Sequence, residues 1–298
     1  MSDAFESLLD RYMQAGRICA QLRPSARKLV VDGARLVDIC EALEADIRAL
    51  GAKPGFPVNV CVGSVAAHFT APPGGSDVLK EGDLVKVDYG AMLDGCIADT
   101  AISINLSPLD AGIIRAAEEC LEVGISYMKA GIDVSNVGAA IQERAEASGY
   151  KVIANLTGHQ ISKFNLHAGG VIPNVARGYR GKVQTNTVYA IEPFLTYSHG
   201  AGIVVERPPA LIYRLGRSRP RDLVAKELHS RIAESFSTTP FAERWLNLTP
   251  EEKGAFQKMI DNGSISRYPQ LIEKNNVTVA QAEHSVAVLP DKVIVLTK

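Results

Sequence analysis

Two aspartates on opposite arms of one apolar hairpin constrain this chain more than any other feature. Leu84–Ala91 and Cys96–Leu106 are rich in Val and Ile and alternate like strands, and Asp94-Gly95 between them is a strong two-residue turn. If the arms fold symmetrically about that turn, Asp88 faces Ala101 and Asp99 faces Gly90. Side chains alternate with period two, so both carboxylates share one face as diagonal neighbours, Cα atoms ~7–8 Å apart. Gly90 and Ala101 opposite them leave room for something between. Two anions there repel, and burial penalises each, unless a cation sits with them. A one-residue bulge would break the parity, so the expectation rests on an even loop.

Around this hairpin the chain repeats in outline. Phe5, Leu8, Leu9, Tyr12, Ala15, Cys19 and Leu22 recur at helical spacing up to Pro24. Val30, Ala34, Val37, Cys40, Leu43, Ile47 and Leu50 mark a second helix, stopped by Gly51, and Pro57–Val62 reads as strand. A second round follows. Ile113, Ile114, Ala117, Leu121, Ile125 and Met128 predict a helix ending at Gly131, and Val134, Val137, Ile141 and Ala145 another ending at Gly149. Strand character resumes at Val152–Leu156, Val188–Thr196 and Ile203–Val205. Glu81–Asp88 and Thr185–Glu192 match as a turn, β-forming residues and a carboxylate in the eighth place, which points to an internal duplication. Residues 208–270 differ. Leu223, Val224, Leu228, Ile232 and Phe236 share a helical face, and Thr249-Pro250-Glu251-Glu252 is a capping box that opens a helix carrying Phe256, Met259 and Ile260. Val277–Ala280 and Ser285–Leu296 return to strand, so a helical insertion is expected between two strands of one sheet.

Composition narrows the class. The 298 residues carry 32 basic and 33 acidic side chains, with no block of five like charges, so neither a nucleic-acid stripe nor an acidic tail is expected. No apolar run approaches ~18 residues, and the start Met1-Ser2-Asp3 lacks the apolar region of a signal peptide. A soluble cytoplasmic protein follows. Cys19, Cys40, Cys61, Cys96 and Cys120 sit mostly in apolar runs without a C-x-x-C, and read as reduced core residues.

Further ionisable groups stand in apolar or Gly-flanked strand contexts: Gly158-His159, Leu166-His167-Ala168-Gly169, Ile191-Glu192-Pro193 and Glu283-His284-Ser285. Taken singly, each has a bland reading as a strand-edge carboxylate, a satisfied core histidine or an exposed pair. Taken together, Asp, Asp, His, Glu and Glu form a hard-oxygen set with one imidazole. That set suits a pair of divalent ions of the Mn, Fe, Co or Zn kind rather than a thiolate-bound zinc. Two such ions ~3.5–4 Å apart can share a hydroxide and polarise a carbonyl.

Asp88-Tyr-Gly, Asp94-Gly-Cys-Ile-Ala-Asp99-Thr, Gly158-His159, His167-Ala-Gly, Ala190-Ile-Glu192-Pro-Phe and Glu283-His284 resemble the methionine aminopeptidases, in the order and spacing of the type 2 archaeal and eukaryotic branch. The resemblance runs from Phe56-Pro57 through Val288. It implies the α+β pita-bread fold, two αα-plus-β halves in pseudo-twofold relation around a dinuclear centre. Glu283 follows Glu192 by 91 positions, which matches the type 2 insertion and gives a catalytic domain of residues 1–207 and 271–298 with a helical insertion at 208–270. Like the archaeal form, the chain lacks a long charged N-terminal extension.

The implied metal ligands are Asp88, Asp99, His159, Glu192 and Glu283. His68 would lie by the scissile peptide and the substrate's amino end, and His167 would hydrogen-bond the carbonyl oxygen as it gains charge. Glu192 would also handle the proton of the attacking water, and Phe56 and Tyr268 would wall the apolar pocket. The implied reaction removes the initiator Met from nascent proteins with a small second residue, by attack of a metal-bound hydroxide on the Met carbonyl. Its cofactors would be two divalent ions (Co, Mn, Fe or Zn). Its partners would be nascent polypeptide N-termini and the ribosome; the enzyme would be monomeric, with no membrane or specific nucleic-acid partner. The chain's own Met1-Ser2 start fits that substrate rule.

Two alternatives remain beside it. A proline-specific aminopeptidase or dipeptidase of this fold usually carries a preceding domain, for which Asp88 arrives too early. A non-catalytic binding protein on this scaffold would have lost ligands, and all five are kept. The chain departs from the family at Gly63-Ser64, Ala282 and Ser285, and carries extra residues near Tyr197–His199, which bear on pocket shape and rate.

Overall fold

The hairpin forms in the even register its sequence dictates. In the computed structural model, which describes residues 3–298, strand Leu84–Leu93 pairs antiparallel with Cys96–Asn105, placing Asp88 opposite Ala101 and Gly90 opposite Asp99. Asp94 and Gly95 both take positive φ, 51° and 87°, the turn geometry that suits the right-handed twist of two strands. Strand Asn59–Val62 and the short stretch Lys53–Pro54 complete this sheet on the other side of Leu84–Leu93. The Met1-Ser2 start lies outside the described residues.

Residues Val85, Val87, Tyr89 and Ala91 turn to one face, where they pack with Ala15, Cys19 and Leu22 of α1 (Asp3–Leu29) and Ile39, Cys40 and Leu43 of α2 (Leu36–Ala49). Asp88 and Gly90 therefore face the other way. The spacing predicts a stop at Pro24, yet α1 continues to Leu29 with Pro24 inside it. An internal proline costs about 3 kcal/mol. Leu22, Ala26 and Val30 continue the buried stripe past it, and burial of each large side chain returns about 1.5–3 kcal/mol. Packing wins, and Val30 closes the first helix rather than opening the second.

The second half repeats the plan. Helices α3 (Ala111–Tyr127) and α4 (Val134–Ala147) pack over a sheet containing Thr157–Ile161, Thr187–Ile191 and His284–Val288. Its pairing runs His284 opposite Ile191 and resumes with Gln281 opposite Phe194, which brings Glu192 level with Glu283. Asp88 and Glu192 thus hold equivalent places in the two halves, as the matched eight-residue segments anticipate.

The two halves meet along a seam between Cys96–Asn105 and the strands around Glu283. Ser103 Oγ donates to Gln281 O at 2.7 Å and accepts from Gln281 N at 2.8 Å. Ser285 Oγ does the same with Asp99 O at 2.9 Å and Asp99 N at 2.8 Å. Between these reciprocal pairs, Glu283 N donates to Ala101 O at 3.1 Å. The repeat of one serine device at both ends of the seam is the signature of the pseudo-twofold, and the architecture is the α+β pita-bread arrangement.

Within residues 208–270, α5 (Leu223–Phe236) and α6 (Pro250–Asp261) form as their faces predict, and the Thr249–Glu252 capping box closes in both directions. They do not stand alone. They ride on a twisted ribbon, Val204–Leu215 paired with Ile265–Glu273, which joins the body through Val65–Ala67. Pro208 and Pro209 interrupt the alternation that would have announced the first of these strands. All five cysteines are free and buried. Among the described residues no helix is long and apolar enough to cross a membrane.

Candidate metal centre

The face of the sheets turned away from the helices gathers the acidic residues. Asp88 and Asp99 come from the first hairpin, Glu192 from the break at Pro193, Glu283 from the seam, and His159 from strand Thr157–Ile161. Gly158 permits the last: a Cβ there would lie 2.2 Å from Ala190 O, so only glycine lets this strand approach and aim His159 inward. Asp99, His159 and Glu283 are buried and offer ligand atoms within 4.8 Å of one another. His159 Nε2 lies 3.5 Å from Asp99 Oδ2 and 3.6 Å from Glu192 Oε1, too long for good hydrogen bonds and wide enough for an ion between.

Charge in this cluster must be balanced, by protons or by a bound cation. Two carboxylates 4.8 Å apart repel by roughly 3 kcal/mol at an effective dielectric of 20, before desolvation is counted. Burial first, then repulsion from Asp99 and the other acids, holds Asp88, Glu192 and Glu283 well above the ordinary carboxylate range. Asp88 Oδ1, Asp99 Oδ1, Glu283 Oε1 and His159 Nδ1 are buried without a hydrogen-bond partner. Orphaned hard oxygens beside one imidazole are the donor set of a first-row divalent ion, and the five residues fit such a group.

A pH consequence follows. A carboxylate whose folded pKa is raised stabilises the fold at pH below its unfolded value and loses that contribution as pH rises through the folded value. The gain in melting temperature on adding saturating Mn to chelated protein is therefore expected to be larger at about pH 7.5 than at about pH 6.5, since bound metal holds these carboxylates ionised. Comparing metal-loaded with metal-free protein at each pH cancels the groups that titrate the opposite way in both, the buried His68 and His167 and Lys86, whose ammonium burial lowers to about 8. An equal or smaller gain at the higher pH would contradict the reading.

One cavity collects every residue to which the resemblance assigns a role. Asp88, Asp99, His159, Glu192 and Glu283 line it together with Phe56, His68, His167 and Tyr268. His68 takes a positive φ of 64° and stacks edge-on against Tyr268 at 5.3 Å. Burial lowers its pKa to about 4, so the ring is neutral at pH 7. Its Nδ1 lies 3.3 Å from Pro269 O, a group that only accepts, so Nδ1 carries the proton and Nε2 is left as an acceptor. His167 opens onto the cavity 4.3 Å from the His159 ring, and the crowded pocket, with His159, His68 and Arg214 near it, lowers its pKa too. His199 stays outside, stacked on Tyr197 at 5.8 Å. His284 is buried outside the cavity, 2.8 Å from Thr297 Oγ1.

Sequence reasoning missed several members. Asn59, Leu166, Ile212 and Pro240 also line the cavity. Gln281 sits beside the acidic cluster, its Nε2 at 3.4 Å from both Glu192 Oε2 and Glu283 Oε2. It occupies the place in the second half that Asp99 holds in the first, a relation visible only once the strand register is known.

A buried cluster of carboxylates and one imidazole, shared between two halves of a pita-bread fold, defines a metallopeptidase class. The chain belongs to metallopeptidase family M24, whose pattern matches residues 10–211. It is 40% identical over 295 residues to a methionine aminopeptidase of Pyrococcus abyssi, spanning 97% of this chain and 99% of that one. Among solved structures it resembles a thermophilic Arx1 (TM-score 0.84, 17% identity, 97% of this chain and 90% of the other). It also resembles a methionine aminopeptidase of Thermotoga maritima (TM-score 0.70, 23% identity, 98% of this chain and 97% of the other).

Proposed function

We propose that this chain is a metal-dependent aminopeptidase that removes the initiator Met from nascent proteins with a small second residue. The observation that carries the reading is the cavity itself: an acidic cluster fit for divalent ions shares one cavity with apolar and aromatic side chains and two neutral imidazoles. Asp88, Asp99, His159, Glu192 and Glu283 would hold two divalent ions. When bound, such ions acidify a water and polarise a carbonyl.

The remaining roles fall to this chain's own side chains. Phe56 and Tyr268, with Ile212 and Leu166 beside them, offer the flexible Met side chain an apolar slot. His68 Nε2, left as an acceptor, suits an N–H donor at the substrate's amino end or scissile amide. His167 is placed to donate to the carbonyl oxygen as it gains negative charge. Glu192, whose pKa burial raises, suits the transfer of a proton from the attacking water to the leaving amine. Residues 208–270 act as an insertion on a body of 1–207 and 271–298, and supply Ile212, Pro240 and Tyr268 to the pocket. The enzyme works as a monomer in the cytoplasm, where nascent chains emerge from the ribosome.

The test is a peptide panel with Co or Mn added. Met-Gly and Met-Ser peptides should lose their Met, and Met-Lys and Ala-Ser peptides should stay intact. Preferential cleavage before proline, or no metal-dependent release, would overturn the proposal. Tyr268→Ala is expected to raise KM about tenfold while leaving metal affinity unchanged, as loss of apolar contact should.

A further inference from the structure

A second buried charge lies away from the metal centre. Glu44 of α2 is 1% exposed, and its carboxylate is shared between two other segments of the chain. Its Oε1 accepts from Val58 N at 3.0 Å and pairs with Arg244 Nη2. Its Oε2 accepts from the Trp245 indole N–H at 2.6 Å. Arg244 continues the network, with Nη1 donating to Thr70 Oγ1 at 2.8 Å and Ala71 O at 3.1 Å. Thr70 Oγ1 returns to Val58 O at 2.7 Å, which closes a ring of contacts.

Each segment this ring holds bears a wall of the cavity. Val58 lies two residues after Phe56, and Thr70 two residues after His68. Arg244 and Trp245 follow the short strand Phe241–Ala242, which pairs Ala242 with Ile212 and comes directly after Pro240. Ile212 in turn pairs with Tyr268. A buried ion pair seldom adds net stability, since desolvation offsets most of its attraction. Its directional bonds fix geometry instead, because the guanidinium fork admits few orientations.

Resting on the reading of this cavity as a methionine pocket, we infer that Glu44 is a positioning residue that clamps Phe56, His68 and the insertion's Ile212–Pro240–Tyr268 wall at the width a Met side chain requires. It touches neither substrate nor metal. The clamp sets how well the pocket receives Met, and none of Asp88, Asp99, His159, Glu192, Glu283 and His167 takes part in its hydrogen bonds.

Glu44→Gln keeps the volume but removes the charge opposite Arg244 and sets an amide N–H₂ against the Trp245 donor. We expect KM for a Met-Ser peptide to rise about tenfold and binding of free L-methionine to weaken by a similar factor. kcat should stay within about twofold, and Mn affinity by calorimetry should match the wild type. Arg231→Gln, which breaks the exposed Arg231–Glu252 pair elsewhere in the insertion, should change none of these. Trp245→Phe removes the indole donor and part of the ring while keeping the Glu44–Arg244 pair, and should raise KM about threefold. If Glu44→Gln does not fold, that variant decides. Unchanged KM and L-methionine affinity in the folded variants would overturn the clamp, as would a loss of Mn affinity in parallel. A wild-type chain that neither binds L-methionine nor releases it refutes the proposed function and the clamp with it. Wild-type binding that the variants leave unaltered refutes the clamp alone.

Discussion

Replacing Asp99 by Asn is expected to cut Met release by roughly 10³-fold, the several kcal/mol that a metal's Lewis-acid role contributes at about 1.4 kcal/mol per decade. Asp99 stands where the two halves meet. Its backbone N and O are fixed by Ser285, and its Oδ2 lies 3.5 Å from His159 Nε2. The substitution preserves shape and both backbone bonds, so the fold should survive. What disappears is a buried anion that would help hold a divalent ion. Calorimetry should show weaker Mn binding in the same variant, and kcat should fall with it. A variant within tenfold of the wild-type rate would sink the assignment of Asp99 as a ligand.

The second large effect belongs to His167. Its replacement by Ala should lower kcat by about 10²–10³ with little change in metal affinity, the cost of one donor at a developing oxyanion. The distinction from Asp99 matters. His167 lies ring-to-ring with His159 at 4.3 Å, close enough to serve as a sixth ligand if the cluster were drawn differently. A ligand role would show as lost metal affinity, and a donor role as lost kcat alone. Stopped assays on Met-Ser peptide, beside calorimetry with Mn, separate the two. Lost affinity with a retained kcat at saturating metal would contradict the donor role.

Much of the site is legible because it is written in strand parity. An even two-residue turn at Asp94-Gly95 is enough to set Asp88 and Asp99 on one face, and the structure keeps that register. The eight-residue match between Glu81–Asp88 and Thr185–Glu192 is likewise realised as equivalent strands. Parity says nothing about what lies across a seam. Gln281 escapes notice because its role comes from lying beside Glu283 and Glu192 in space, and no motif marks an amide in that position. Ile212 and Pro240 are missed for a different reason. Residues 208–270 look helical from α5 and α6, while the ribbon beneath them carries prolines and charged residues that hide its alternation. The Pro24 stop fails because tertiary burial of Ala26 and Val30 outweighs a local penalty. Local chemistry is readable from residue order, and contacts between distant segments are not.

The most direct measurement is a titration of chelated protein with Mn or Co, following bound metal and release of Met from a Met-Ser peptide in the same samples. Release should be absent without metal, rise as ions bind, and saturate by two ions per chain, with Asp99→Asn failing on both readouts. Release of Met by the metal-free protein, or two tightly bound ions with no release, would contradict the assignment of this acidic cluster as the seat of the reaction.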